Sequence, residues 1–186
     1  MTLVLPIRSL QAADASRFGP KAANLAALGH AGLPIADGFC VDAEVYRCQL
    51  KNLALEGTGR KVFSTDGPEA RRHALEMKLR LMDHPIVSEV AEPLLEAWRA
   101  TAMPGVVRSS ALVEDRADSS FAGQFESYLG LDNEADFLTA VRACWAALWS
   151  TRALRYMATH GLDPADTAMG LLIQPLVAAR VAGGGL

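Results

Sequence analysis

Residues 106–131 constrain the fold most strongly, because two strand-like runs flank a loop of small residues there. The stretch reads VVRSSALVEDRADSSFAGQFESYLGL. The first apolar run ends on Arg108, and the second run covers residues 128–131. Short apolar runs bounded by serine and glycine are typical of β-strands joined by a loop. The fold must therefore hold a single arginine at the end of a strand, facing a loop of serines and a glycine.

The rest of the chain predicts an α+β fold, because its strand and helix patterns do not alternate regularly. Strand patterns occur at residues 2–7, 39–41 and 167–177, and a further strand begins at Val181. Apolar spacing, prolines and capping residues predict helices from Pro20 to about Gly32, after an Asp42 cap, and at residues 68–82, 86–101 and 134–160. The last stretch is one long helix or two abutting helices, residues 134–150 and 151–160. Trp145 and Trp149 lie four residues apart in it, and this spacing predicts core side chains more often than a ligand platform. Four to six helices and about five strands are expected in total.

Two further expectations concern the middle of the chain. Residues 56–67 contain three glycines and predict an exposed connection. In the helix that follows, the spacing places four apolar side chains on the core face. These side chains are Ala70, Leu75, Leu79 and Met82.

Composition excludes several classes of protein. The 186 residues suffice for one domain or at most two. A net charge of -3 and a pI near 5.8 argue against nucleic-acid binding, which needs a basic surface. No apolar run reaches the length of a membrane span, and the N-terminus shows no signal-peptide pattern. The three cysteines form no CxxC pair, which predicts reduced, mostly buried thiols in a cytoplasmic protein.

Arg108 and the loop at residues 119–124 suggest an anion site. A guanidinium matches phosphate oxygens with two parallel hydrogen bonds, and a loop of small residues can present its backbone N–H groups to an anion. This chemistry suits the phosphates of a nucleotide. The alternative is structural: Arg108 pairs with Glu114, Asp115 or Asp118, and the loop is a plain turn.

Lys21 and Gln174 are the other candidate ligand-binding residues. Lys21 lies at a helix start, where acidic residues are favoured, so a ligand phosphate between the lysine and the free N–H groups would explain it. Its alternative is a solvated surface lysine. Gln174 lies in an apolar strand, where its amide must find partners. It either pairs with neighbouring backbone or faces the edge of an adenine.

Three stretches, taken in order, resemble the N-terminal nucleotide-binding domain of the pyruvate/phosphoenolpyruvate dikinase family. They are FGPKAANLAALGHAGLPIADGFCVDAEVYR near the N-terminus, VVRSSALVEDRADSSFAGQFESYLGL in the middle, and CWAALWSTRALRYMATHGLDPADTAMGLLIQPLV near the end. The SFAGQ loop is most similar to the phosphoenolpyruvate synthase (pyruvate, water dikinase) and rifamycin phosphotransferase branches. The resemblance runs from about residue 17 to the last residue, with a divergent middle at residues 50–100.

The resemblance implies an ATP-grasp fold that binds Mg-ATP and passes a phosphate through a phosphohistidine to pyruvate or another acceptor. Lys21 and Arg108 match the residues that contact the ATP phosphates, and Arg108 would also stabilise charge during transfer. Ser127 stands where the family usually has threonine, and Gln174 matches a glutamine near the adenine. The lid over the triphosphate would contain Ser120, Gly123 and Gln124. The fold expected for residues 1–186 is an N-terminal ATP-grasp lobe with a mixed sheet, divisible into a helical part (1–103) and a strand–lid–helix part (104–186).

Departures from the family pattern limit what this chain is expected to do. Pro20 replaces a glycine and removes one N–H donor from the phosphate-facing turn. AGGGL stands where AGVLF is usual, and the second lobe, the magnesium ligands and the phosphohistidine domain are expected outside this chain, in the same protein or in a partner. The chain alone is therefore expected to be inactive. The alternative is a non-catalytic nucleotide-binding or regulatory module of the same fold.

Overall fold

The computed structural model describes residues 2–65, 67–113, 125–163 and 167–181. In these residues the strands form a single five-stranded antiparallel sheet. The strand order is β1-β2-β5-β3-β4. The strands are β1 (Val4–Pro6), β2 (Phe39–Val41), β3 (Gly105–Ala111), β4 (Ser127–Leu131) and β5 (Met169–Pro175). Every pairing among the described residues is antiparallel, so the expected mixed sheet was wrong for this part of the chain. The connection through α1 returns the chain from β1 to β2 in the opposite direction, and no described pair of neighbouring strands makes a parallel βαβ crossover.

Seven α-helices and one 3-10 turn (Leu10–Ala13) lie in the described part of the chain, more than the four to six expected. The α-helices are α1 (Ala15–His30), α2 (Ala43–Asn52), α3 (Glu56–Ser64), α4 (Gly67–Asp83), α5 (Ser88–Arg99), α6 (Glu134–Ala147) and α7 (Thr151–Thr159). The Asp42 cap of α2 is confirmed, since its carboxylate accepts from the Glu44 N–H. The last helical stretch forms two helices, because Ser150 has extended backbone and its side chain caps α7 by accepting from the Ala153 N–H.

The exposed connection expected at residues 56–67 was wrong, because most of this stretch forms α3. Its two internal glycines weaken a helix, but Gly59 lies where α3 packs closely on an indole. A Cβ at Gly59 would lie 3.1 Å from the Trp149 ring. The absence of a side chain at Gly59 therefore allows α3 to pack closely against Trp149.

The core face of α4 also differs from the expectation. His73, Ala74, Met77 and Leu81 are the buried residues, whereas Leu75 is 55% exposed and Leu79 is 50% exposed. The buried side chains still repeat at helical spacing, but the face is rotated from the predicted one. The reason is that α4 packs against both α3 and α6, which meet it on the side of Met77.

The sheet separates two hydrophobic clusters. On one face, α1 supplies Phe18, Ala22 and Ala26 to a small cluster with Cys40 and Leu172 of the sheet. We call this side of the sheet the α1 face. The other face carries the larger cluster, which contains the core tryptophans expected from the sequence, Trp145 and Trp149, at 0% and 1% exposure.

Four further expectations concern the cysteines, membrane spans, the last strand and the division of the chain. All three cysteines are free, with Cys40 and Cys144 buried and Cys48 partly exposed. Within the described residues, no helix combines the length and hydropathy needed to cross a membrane. The strand expected from Val181 onward falls mostly outside the described residues. Strands from both sides of residue 103 share the one sheet, and the division at that position stays a prediction.

Candidate functional site

The site begins at a break in α1. Gly19 has φ 76° and ψ 160°, a backbone conformation that other residues rarely adopt, and Pro20 opens the longer part of the helix. A Cβ at Gly19 would lie 2.2 Å from the backbone oxygen of Ser110. The glycine therefore lets the start of this helix lie directly against the end of β3.

Lys21 is held beside β3 by a hydrogen bond between residues 88 positions apart. Its Nζ donates to the backbone oxygen of Ser109 at 2.7 Å, and the side chain is partly buried. Because Ser109 follows Arg108 directly, the ammonium of Lys21 is anchored next to the arginine's strand position. The sequence's alternative of a freely solvated lysine is therefore wrong.

Arg108 lies in the middle of β3, so the expectation that it ends a strand was wrong, because the pairing with β5 continues through Ala111. Its side chain is on the α1 face of the sheet. Its neighbours across the sheet are Ser127 on β4 and Leu172 on β5, and residues paired in this way present their side chains to the same face. The Arg108 side chain is partly buried and makes no hydrogen bond or ion pair with any other described residue. The alternative partners Glu114, Asp115 and Asp118 lie outside the described residues.

The structure thus brings together Lys21, Arg108 and Ser127, which we call the Lys21–Arg108 site. It contains two cationic groups and an exposed hydroxyl at one edge of the α1 face. Such a set can bind an anion through charge-assisted hydrogen bonds.

Gln174 lies on the same face as the Lys21–Arg108 site. Its partner across the sheet is Val106, two residues along β3 from Arg108, a separation of about 7 Å along a strand. Gln174 is 7% exposed, and its Nε2 donates to the backbone oxygen of Ala36 at 3.1 Å. The structure shows the backbone-paired alternative for the amide nitrogen.

The idea that free N–H groups at this helix start receive an anion needs a correction. The Ala22 N–H donates to the side-chain oxygen of Ser110 at 3.2 Å, and Pro20 has no N–H to offer. The buried Ser110 hydroxyl therefore accepts a hydrogen bond from an N–H group that was expected to face a ligand. One indication of this contact is present in the sequence, the pair of serines that follows Arg108.

Sequence reasoning also missed a set of protonated groups on the other side of β3. Ser109 donates its hydroxyl to the Glu126 backbone oxygen at 3.2 Å, and the Tyr128 hydroxyl donates to the Glu126 carboxylate at 3.2 Å. Burial raises the pKa of Tyr128 to about 12, and the nearby charges of Cys144 and Glu126 add to this effect. Burial also raises the pKa of Cys144 to about 12, although the charge of Lys21 acts in the opposite direction. Both groups are therefore protonated at neutral pH, and neither is a ready base or nucleophile.

The lid residues Ser120, Gly123 and Gln124 belong to residues 114–124, outside the described residues. In the described ranges, no group of three or more histidine, cysteine, aspartate or glutamate side chains could hold a metal ion.

A cavity of about 1050 Å³ lies away from the Lys21–Arg108 site, between β1 and α5. Its lining includes Val4, Phe39, Pro93 and Ala97, and none of the ligand-binding residues expected from the sequence. The cationic groups converge at the Lys21–Arg108 site, which is therefore the candidate functional site.

Comparison with known proteins gives a family for this chain. Residues 15–185 match the family model described as "Pyruvate phosphate dikinase, AMP/ATP-binding domain". The chain belongs to this family. The match includes every candidate residue named above, from Lys21 to Gln174.

Curated relatives show the same relationship. The chain is 32% identical to the phosphoenolpyruvate synthase of Aeropyrum pernix, over 89% of this chain and 22% of the relative. It is 34% identical to the prodigiosin synthesizing transferase PigC of Serratia marcescens, over 98% of this chain and 19% of the relative. It is 30% identical to the rifampicin phosphotransferase of a Streptomyces species, over 97% of this chain and 22% of the relative. The chain thus spans about a fifth of the length of these relatives.

Proposed function

We propose that this chain is the ATP-binding lobe of a phosphoenolpyruvate synthase-like phosphotransferase. One observation carries the proposal. The Lys21–Ser109 hydrogen bond fixes a lysine from the first helix beside Arg108 on one face of the sheet, in a family described as AMP/ATP-binding. Two cations on different elements, brought together in this way, suit the clustered negative charge of a triphosphate.

Arg108 and Lys21 would bind the phosphates in different ways. The planar guanidinium of Arg108 offers paired N–H donors to two oxygens of one phosphate, whereas the Lys21 ammonium is a compact point charge. Ser127 would add a neutral hydroxyl donor on the same face. The lid containing Ser120, Gly123 and Gln124 would close over the triphosphate from the opposite side.

The remaining parts of the reaction lie outside this chain in our proposal. The longer relatives leave room for a second ATP-grasp lobe with magnesium ligands and for a domain that carries the phosphate on a histidine to pyruvate or another acceptor. Phosphoryl transfer depends on positioned metal and charge clamps, so the isolated chain would bind nucleotide without turning it over. A cytoplasmic location and the absence of nucleic-acid and membrane partners stay predictions.

A second candidate, a non-catalytic nucleotide-binding module, is favoured by the helix start. Pro20 offers no N–H, and the Ala22 N–H is taken by Ser110, so two backbone donors are not available to a phosphate. The two candidates differ in one measurement. When the remaining domains are supplied, a catalytic lobe restores ATP-dependent phosphorylation, and a module does not.

Calorimetric titration with Mg-ATP tests the proposed function. We expect saturable binding with a Kd of about 0.1–1 mM, since one lobe supplies only part of the contacts. Arg108→Ala should weaken it about tenfold or more, because charged hydrogen bonds are lost. Arg71→Ala, which removes an exposed arginine on α4, is the matched control and should leave binding unchanged. Equal binding by the wild-type and Arg108→Ala proteins would contradict the proposal, as would no binding by any of them.

A further inference from the structure

We propose that Ser110 is the positioning residue for Lys21, acting through the backbone of Ala22. The inference rests on the proposed function, in which Lys21 binds the phosphates. Nothing in the family match assigns a role to this serine, and its hydroxyl does not itself reach toward a ligand, since Ser110 is fully buried. Its effect on the nucleotide is transmitted by the helix that carries the lysine.

Two hydrogen bonds of opposite kind join the helix to the strand. The Lys21 side chain donates to the backbone of Ser109 at 2.7 Å, and the Ala22 backbone donates to the side chain of Ser110 at 3.2 Å. Adjacent residues on the helix are thus attached to adjacent residues on β3. These two hydrogen bonds fix both the position and the direction of the first turn. The Lys21 side chain therefore extends from a defined position on the helix.

The alternation of side chains along β3 explains why Ser110 has this task. Successive strand residues face opposite sides of the sheet. The hydroxyl of Ser109 accordingly bonds to Glu126, whereas that of Ser110 lies on the α1 face, against the helix start. Only the second serine can therefore cap this helix.

Close packing at two glycines holds the start of the helix directly against the sheet. A Cβ at Gly19 would lie 2.5 Å from the Ser110 hydroxyl oxygen, and one at Gly170 on β5 would lie 2.6 Å from the Phe18 backbone oxygen. Both contacts hold the turn before Lys21 directly on the sheet. Ser110 supplies the polar bond within this contact, since a buried amide without a partner is costly.

The test compares Ser110→Ala with Ser150→Ala by NMR. Ser150 is the matched control, because its hydroxyl also accepts from an alanine N–H, that of Ala153, at 3.2 Å. We expect Ser110→Ala to speed hydrogen exchange of the Ala22 amide about tenfold, the usual effect of losing a helix cap. It should also shift the Lys21 ¹⁵Nζ resonance and speed exchange of its ammonium protons. Ser150→Ala should change only the Ala153 amide.

Titration with Mg-ATP and with adenosine connects the contact to the proposed function. Ser110→Ala should weaken Mg-ATP binding about tenfold and leave adenosine binding unchanged, since only the triphosphate would meet Lys21. If Ser110→Ala does not fold, Ser110→Cys replaces the good acceptor by a weak one of similar size and takes its place in every measurement.

Each outcome decides the positioning role. An unchanged Lys21 Nζ signal in the folded Ser110 variant would overturn it, even if stability fell. So would an Mg-ATP loss shared equally by Ser150→Ala. If the wild-type chain does not bind Mg-ATP, the proposed function fails, and the Ala22 and Lys21 signals still decide whether Ser110 positions the lysine.

Discussion

At the residue scale, the contact between the first helix and β3 depends on atoms that are absent as much as on those present. Gly19 has no side chain where the Ser110 backbone would collide with one, and its φ of 76° belongs to the region that favours glycine. The Lys21 ammonium then reaches the Ser109 oxygen at 2.7 Å. A methyl group at Gly19 would therefore push the helix start away from β3 and displace Lys21 from Ser109.

Gly19→Ala should lower the free energy of unfolding by about 2 kcal/mol or more, because backbone strain adds to the collision with Ser110. Urea unfolding followed by circular dichroism measures this change. Gly57→Ala is the control, since Gly57 lies exposed in α3 with open space around it. There the substitution should raise the free energy of unfolding by about 0.5–1 kcal/mol. Equal effects at the two positions would contradict the role of Gly19.

At the element scale, α3 and α4 show how packing changes what the local pattern indicates. Three glycines at residues 56–67 are typical of a loop, yet Gly59 is buried in a helix against Trp149. In α4, apolar side chains lie on more than one side, so the pattern alone permits several core faces. Contact with α3 and α6 selects the face that contains Met77.

Alanine substitutions two residues apart test this orientation of α4. Met77→Ala should cost about 2–5 kcal/mol, because Met77 is completely buried and a cavity would remain. Leu75→Ala should change the free energy of unfolding by less than about 0.5 kcal/mol, since Leu75 is largely exposed. Thermal or chemical unfolding distinguishes the two. A larger loss at Leu75 would restore the face expected from the sequence.

At the scale of the whole molecule, the sheet depends on its last strand. β5 lies between β2 and β3, so residues near the end of the described chain join the two N-terminal strands to the strand that carries Arg108. Leu171, Leu172 and Ile173 of β5 are completely buried and contribute to both hydrophobic clusters. The two faces of the protein share this strand.

A chain shortened to residues 1–163 should therefore fail to fold cooperatively. Removing β5 would leave β2 and β3 without their common partner and expose apolar surface on both faces of the sheet. A chain of residues 1–181 keeps β5 and is the control. Near-ultraviolet circular dichroism and urea unfolding compare the two chains. A sharp unfolding transition in the 1–163 chain would show that β5 is dispensable.

The candidate site was predictable in its residue types and only partly in its contacts. The ordered motifs identified the family and pointed to Lys21 and Arg108, because a phosphate site requires particular side chains at particular places in the chain. They could not show that Gln174 bonds to Ala36 or that Ser110 caps the helix start. Those bonds join residues far apart in sequence, and no local pattern encodes which distant partner a buried polar group will find.

Local chemistry in the sequence determined the short strands, the Asp42 cap, the buried tryptophans and the family. Each depends on residues close together or on motifs read in order. Tertiary structure alone decided the antiparallel pairing, the orientation of α4, the helical state of residues 56–64 and the attachment of Lys21 to Ser109. The physical reason is that packing and hydrogen bonding between distant elements stabilise one of several conformations that the local sequence permits.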